Sequence, residues 1–117
     1  MASSSNVSTS ISSTYSNVQV PLFEGENYDF WAVKMETLFK SLDVLEFVKE
    51  GYEEPAAAAE QTTTEIVELK KKKITDAGVL GMIQRGVSNT IFPRIMRAKT
   101  AKKHGKLCNK SLKEIQR

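Results

Sequence analysis

The chain of 117 residues has one cysteine, Cys108, and one histidine, His104. A single thiol excludes an internal disulfide and any Cys-rich metal site, and a single imidazole leaves no His cluster. No cofactor or metal is therefore expected. Apolar runs last only a few residues, far short of the ~20 that span a bilayer as a helix. No membrane span is expected. The first twenty residues, MASSSNVSTSISSTYSNVQV, lack the basic and apolar regions of a secretory signal. They are rich in Ser and poor in acids, as in a transit peptide, but they contain no Arg. The cytoplasm is the expected location.

The net charge of +3 conceals a segregation. Beyond residue 98 lie Lys99, Lys102, Lys103, Lys106, Lys110, Lys113 and Arg117, opposed only by Glu114. That segment carries +6, which leaves −3 for the first 98 residues. A nucleic-acid argument from the overall pI of about 9.0 would rest on this tail alone. The length predicts one domain. Its core is drawn from ~80 residues, near the lower limit of self-sufficient burial.

Residues 1–17 are Ser/Thr/Asn-rich and are expected to be disordered. Residues 18–98 hold the predicted all-α domain, a small and incomplete helical bundle. Pro21 holds Val20 extended, and residues 24–27 form a turn. Asn27 or Asp29 is expected to cap a first helix, with Trp31, Met35, Leu38 and Leu42 on its inner face and Phe39 beside them. A second short helix is expected to turn Leu42, Leu45 and Val48 inward and to close at Gly51. Residues 53–63, containing Pro55, read as a linker. A third helix is predicted over about 64–87. Its stripe begins at Ile66 and Leu69 and resumes at Ala77, Leu80, Ile83 and Val87. Gly78, Gly81 and Gly86 each cost roughly 1 kcal/mol against Ala there, so they point to close packing or fraying. A fourth helix, capped by Ser88 or Asn89, is expected to carry Ile91, Phe92, Ile95 and Met96, with Pro93 in its first turn. Residues 99–117 form a basic tail expected to pack weakly, with Leu107, Leu112 and Ile115 its only large aliphatics.

No constellation here reads as a catalytic site. Asp29 with Glu36, and Glu46 with Glu50, read as caps and solvated helix faces, because no nucleophile or phosphate-binding loop converges on them. Cys108 and His104 stand four apart, but their polar surroundings suit an exposed, incidental pair better than a buried dyad. The Gly spacing over 78–86 does not match a dinucleotide loop. The run Lys70, Lys71, Lys72 and Lys73 offers weak phosphate contacts, with a solvated helix face as the commoner reading. No aromatic residue sits nearby to stack on bases.

The stretch VPLFEGENYDFWAVKMETLFKSLDVLEFVKEGYEEP resembles the N-terminal region of gag from plant Copia-type LTR retrotransposons. That region typically reads F-x-G-x-N-Y-x-x-W-x-x-x-M-x-x-x-L, matched here by Phe23, Gly25, Asn27, Tyr28, Trp31, Met35 and Leu38. A second stretch, DAGVLGMIQRGVSNTIFPRIMRAKTAK, resembles the part of gag that follows, so the likeness covers about residues 18–102. The family often has a Trp where this chain has Leu45-Glu46. The resemblance implies a non-enzymatic, capsid-like helical protein that self-assembles around element RNA. It does not carry over the zinc knuckle, which one Cys cannot supply. Nor does it carry over the protease, integrase or reverse transcriptase of downstream regions. A host-adopted protein-interaction module and a small basic RNA-binding protein are the alternative readings.

After AKTAK the family tends to continue EAWETLQQEFKGDSKV, whereas this chain continues KHGKLCNKSLKEIQR. Codons chosen for the family version, read one nucleotide later, spell residues 103–117 without a mismatch. The chain thus resembles a degenerate, truncated gag copy with a single-base deletion after Lys102. On that reading an amphipathic helix gives way to a polar tail, and each large apolar side chain lost from a core removes roughly 1.5–3 kcal/mol.

Overall fold

Gly25 and Asn27 set the entry to the first helix. Gly25 has φ 112, a backbone conformation that side-chain-bearing residues rarely adopt, and Asn27 has φ 56 in the left-handed region that Asn tolerates. The two bends swing the chain from an extended approach into helix α1, Tyr28–Ser41. Asn27 does occupy the cap position, but its side chain makes no capping bond, so its contribution is backbone shape. The computed structural model describes residues 15, 17–56 and 60–112. The expected disorder over 1–17 falls mostly outside these residues.

The extended approach is pinned to the end of the long helix. The Phe23 N–H donates to the Gly86 carbonyl at 2.7 Å, and the Ser88 N–H donates to the Phe23 carbonyl at 3.1 Å. This parallel bridge brings Val20 and Pro21 against Gly86. A Cβ at position 86 would stand 3.0 Å from Val20 Cγ1 and 3.1 Å from the Pro21 carbonyl oxygen. Close packing, rather than fraying, accounts for this glycine.

Helix α2, Leu45–Lys49, is short and is followed by Gly51 at φ 73, where the amide bonds back to the Glu46 carbonyl at 3.0 Å. Leu42, Leu45 and Val48 are half-buried, as their spacing predicts. The described parts of the linker, residues 53–56 and 60–62, have no regular structure. Helix α3, Thr63–Arg85, opens with a capping box in which the Thr62 hydroxyl and the Glu65 carboxylate each accept the other's backbone N–H.

The buried row of α3 departs from the sequence expectation. It runs through Asp76, Val79, Met82 and Ile83, whereas Ala77 is exposed and Leu80 is half-buried. Hydropathy patterns assign Asp76 outward, but its carboxylate is held inside by the Ala101 N–H, at 3.3 and 3.2 Å to its two oxygens. The first half of α3 stands clear of the core, with Ile66 54% and Val67 45% exposed.

The predicted fourth helix is instead a 3-10 turn, Phe92–Arg94. Bonds of the i→i−3 kind dominate from Ile91 to Ala98, and Pro93 has no N–H with which to continue an α ladder. Ile91 and Ile95 are buried as expected, but Met96 is 53% exposed. The tail also departs from expectation. Residues Ala101–Leu107 form helix α4, capped by the Thr100 hydroxyl, and the helix runs on through a π turn, Cys108–Leu112. Ala101, His104, Cys108 and Leu112 are all buried against the body. The residues taken for a weakly packed tail therefore close the core.

The outcome is a small all-α domain, as predicted. Its core joins Phe23, Trp31, Met35 and Phe39 to Met82, Ile83, Ile95 and Leu112.

Candidate functional site

The motif residues build one knot. Phe23, Tyr28 and Trp31 pack their rings in a triangle, with centroid separations of 5.8 Å, 5.6 Å and 5.7 Å. The Trp31 indole N–H donates to the Pro21 carbonyl at 3.0 Å, which ties helix α1 to the approach strand. Met35 continues the buried row one turn on, and Leu38 is half-buried at its side. Gly25 and Asn27 supply the bends that fold Phe23 back over Tyr28 and Trp31. The seven motif residues thus act together in packing. The Tyr28 hydroxyl is pushed up to about 12, first by burial and then by Cys108 and Asp29 nearby.

Beside this knot a cleft of about 440 Å³ opens between α1, α2 and α4. Trp31, Met35 and Phe39 form its apolar floor, Gly105 and Cys108 its α4 side, and Asp29, Glu36, Lys49 and Lys106 its polar edge. Glu36 is held by Lys40 at 3.4 Å and by Lys49 at 3.7 Å. Glu46 and Glu50 are exposed on and after α2. Cys108 is the one thiol lining the cleft that Asp29 and Glu36 edge, and no hydrogen bond between it and either carboxylate is seen among the described residues.

Cys108 and His104 do share one face of α4, as their spacing requires, but both are buried rather than exposed. Neither ring nitrogen of His104 makes a well-formed hydrogen bond, so no thiol–imidazole bond forms. Burial pushes the Cys108 thiol up to about 12, and it remains a protonated, inert thiol near neutrality. Burial pulls the His104 ring below its ordinary value, and a hydrogen bond with the Ala98 backbone partly offsets this. Burial raises the Asp76 carboxyl, and the Ala101 amide partly offsets it. Among the described residues, no group of three or more His, Cys, Asp or Glu converges as a metal site would require. No described helix is long and apolar enough to cross a membrane.

Lys70, Lys71, Lys72 and Lys73 are all exposed on the outlying half of α3. Consecutive residues turn by about 100° each, so four in a row point around the helix and form no single face. Lys73 is also paired with Glu54 at 3.6 Å. The lysines that do share a face are Lys103 and Lys106 on α4 and Lys110 on the π turn that continues it, taken together as α4, all exposed. Sequence reasoning missed two buried polar groups, Asp76 and His104. The only signal for Asp76 is its place as the last acid before a long basic stretch.

Fold and site together define a small all-α domain organised around an aromatic knot. Compared with known protein families, with curated proteins and with solved structures, the chain matches none of them.

Proposed function

We propose that the chain is a non-enzymatic, gag-like capsid fragment of a Copia-type retrotransposon, whose ancestral role is particle self-assembly and RNA packaging. One observation carries this reading. Aligned residue by residue, the family stretch EAWETLQQEF places Ala, Trp, Leu and Phe at positions 104, 105, 108 and 112. In this chain positions 104, 108 and 112 are the buried row of α4, and Gly105 lines the cleft. The apolar pattern of one reading frame therefore coincides with the packing pattern adopted by the product of the other. The cleft lies where the family's Trp would enter. A Cβ at position 105 would stand 2.8 Å from Val48 Cγ1, too close for the present packing, so α2 must shift to admit it.

The test is the four-fold variant His104→Ala, Gly105→Trp, Cys108→Leu and Leu112→Phe. Burial of an added large apolar side chain contributes roughly 1.5–3 kcal/mol, so the variant should unfold at higher denaturant. It should also form larger assemblies than the parent in sedimentation velocity. A variant that is less stable than the parent and remains monomeric at all concentrations overturns the reading. At the level of the gene, a one-nucleotide shift near the Lys102 codon should open a gag-like frame in the downstream DNA.

A further inference from the structure

Between Asp76 and Glu114 the sequence contains no acidic residue, yet it carries Arg85, Arg94, Arg97, Lys99, Lys102, Lys103, Lys106, Lys110 and Lys113. The fold turns part of this excess into a surface. Helix α4 buries Ala101, His104, Cys108 and Leu112, and so presents Lys103, Lys106 and Lys110 to solvent on the opposite side. Their i, i+3, i+7 spacing places them in one row about 10 Å long. Arg94, Arg97 and Lys99 are exposed on the segment leading into it. Among the described residues, the ion pairs join Lys40 and Lys49 to Glu36 and Lys73 to Glu54, and none involves a cation of α4.

We propose that the outer face of α4, through Lys103, Lys106 and Lys110, binds the phosphate backbone of double-helical nucleic acid. A row of lysine point charges spaced one helical turn apart can neutralise successive phosphates without reading bases. The neighbourhood argues for a duplex. The exposed aromatic among the large hydrophobics, Phe30, is on α1, so α4 offers no platform on which unpaired bases stack. On the segment before the row, Met96 is the one exposed large apolar side chain, too little apolar surface to hold a lipid face on its own. The proposal goes beyond the gag reading, since it rests on the charge geometry of α4 and holds for a monomer.

The experiment measures fluorescence anisotropy of a labelled 20-base-pair DNA duplex, about the length of two turns, with the full chain across a salt series. Three phosphate contacts predict a log–log slope near −2.7 and a loss of about 40-fold between 50 and 200 mM salt. The variant K103Q/K106Q/K110Q should flatten the slope by about that amount, while K70Q/K71Q/K72Q/K73Q should leave it unchanged. Lysine acylation of the unaltered chain, mapped by mass spectrometry, should show Lys103, Lys106 and Lys110 protected by the duplex. That readout does not depend on how the variants fold. Absence of duplex binding at low salt overturns the proposal. So do an unchanged slope in the α4 variant, tighter binding to a single strand, and binding to phosphatidylserine vesicles in place of the duplex. Self-assembly is read separately by sedimentation, so failure here leaves the gag reading standing on its own test.

Discussion

Replacing His104 with Leu should make the protein more stable, and increasingly so in mild acid. The ring is 0% exposed, and neither nitrogen makes a well-formed hydrogen bond, the Ala98 backbone being at most a poorly aligned partner. A neutral imidazole carries one donor and one acceptor, and leaving such a group buried and unmet costs about 1–3 kcal/mol. His104→Leu removes that cost and keeps a side chain of similar bulk against Phe92, whose ring centroid lies 6.4 Å away. The expected gain near neutral pH is about 1–3 kcal/mol.

Acid should widen the gap. Burial disfavours the imidazolium, so the folded chain holds His104 below its ordinary value of 6.5. Below that pH the unfolded chain binds a proton that the folded chain refuses. Stability falls as pH falls, at no more than about 1.4 kcal/mol per pH unit, and levels once the folded ring also titrates. Asp76 acts in the opposite sense. Its folded value is raised from 3.8, chiefly by burial, so proton uptake stabilises the fold as pH drops toward 3.8. Cys108 stays protonated throughout this range. Of the charged groups on the elements packed against α4, Glu46, Lys49 and Arg94 are exposed. Asp76 and these groups are common to both proteins, so the difference between parent and His104→Leu isolates the imidazole. Urea titrations followed by Trp31 emission, at pH about 7.5 and about 5, measure it. A variant less stable than the parent, or a gap that does not grow in acid, would refute the claim that the ring is buried without a well-formed hydrogen bond.

Trp31→Ala should cost about 3–5 kcal/mol and abolish cooperative unfolding of so small a core, whereas Lys34→Ala on the exposed face should change stability by less than ~0.5 kcal/mol. Native Trp31 emission should be blue-shifted and should move red in denaturant; native red emission would show the knot to be open. Gly25→Ala places a side chain at φ 112 and should destabilise by more than about 1 kcal/mol, read as a lowered denaturant midpoint. Ending the chain after Ala98 removes the buried face of α4, including Leu112, and should cost more than about 2 kcal/mol. An unchanged melt would mean that α4 does not pack.

Residues with a strong local period were legible in the sequence. The Trp31, Met35 and Leu38 spacing fixes α1 because large apolar side chains recur once per turn. Thr62 and Glu65 fix the start of α3, since that spacing satisfies two free backbone N–H groups. What failed was whatever depended on a partner distant in sequence. Asp76 turns inward only because Ala101, 25 residues on, supplies an N–H. The buried row of α4 uses Ala101, His104 and Cys108, small or polar residues that a search for large aliphatics passes over. The basic surface was legible in composition, but a consecutive run drew attention away from lysines spaced one turn apart.

These two properties of α4 bear on one another. Its inner face is closely packed but buries an imidazole with no well-formed hydrogen bond. Its outer face sets Lys103, Lys106 and Lys110 at spacings where like charges repel by a few tenths of a kcal/mol per pair. Both weaken the hold on α4 despite its packing against α2 and α3, and such weakening favours local opening. Salt should then act on it in two directions. At about 0.1 M the Debye length is about 10 Å, comparable to the length of the lysine row, so added salt screens the repulsion and steadies the helix. The same salt weakens any polyanion bound there. A bound polyanion neutralises the row more completely than screening does. Amide hydrogen exchange in residues 101–112 should therefore slow modestly with salt and slow further with the duplex at low salt, while exchange in α1 hardly changes. Exchange in α4 as slow as in α1 without either would show that the helix is firmly packed despite His104 and the cleft.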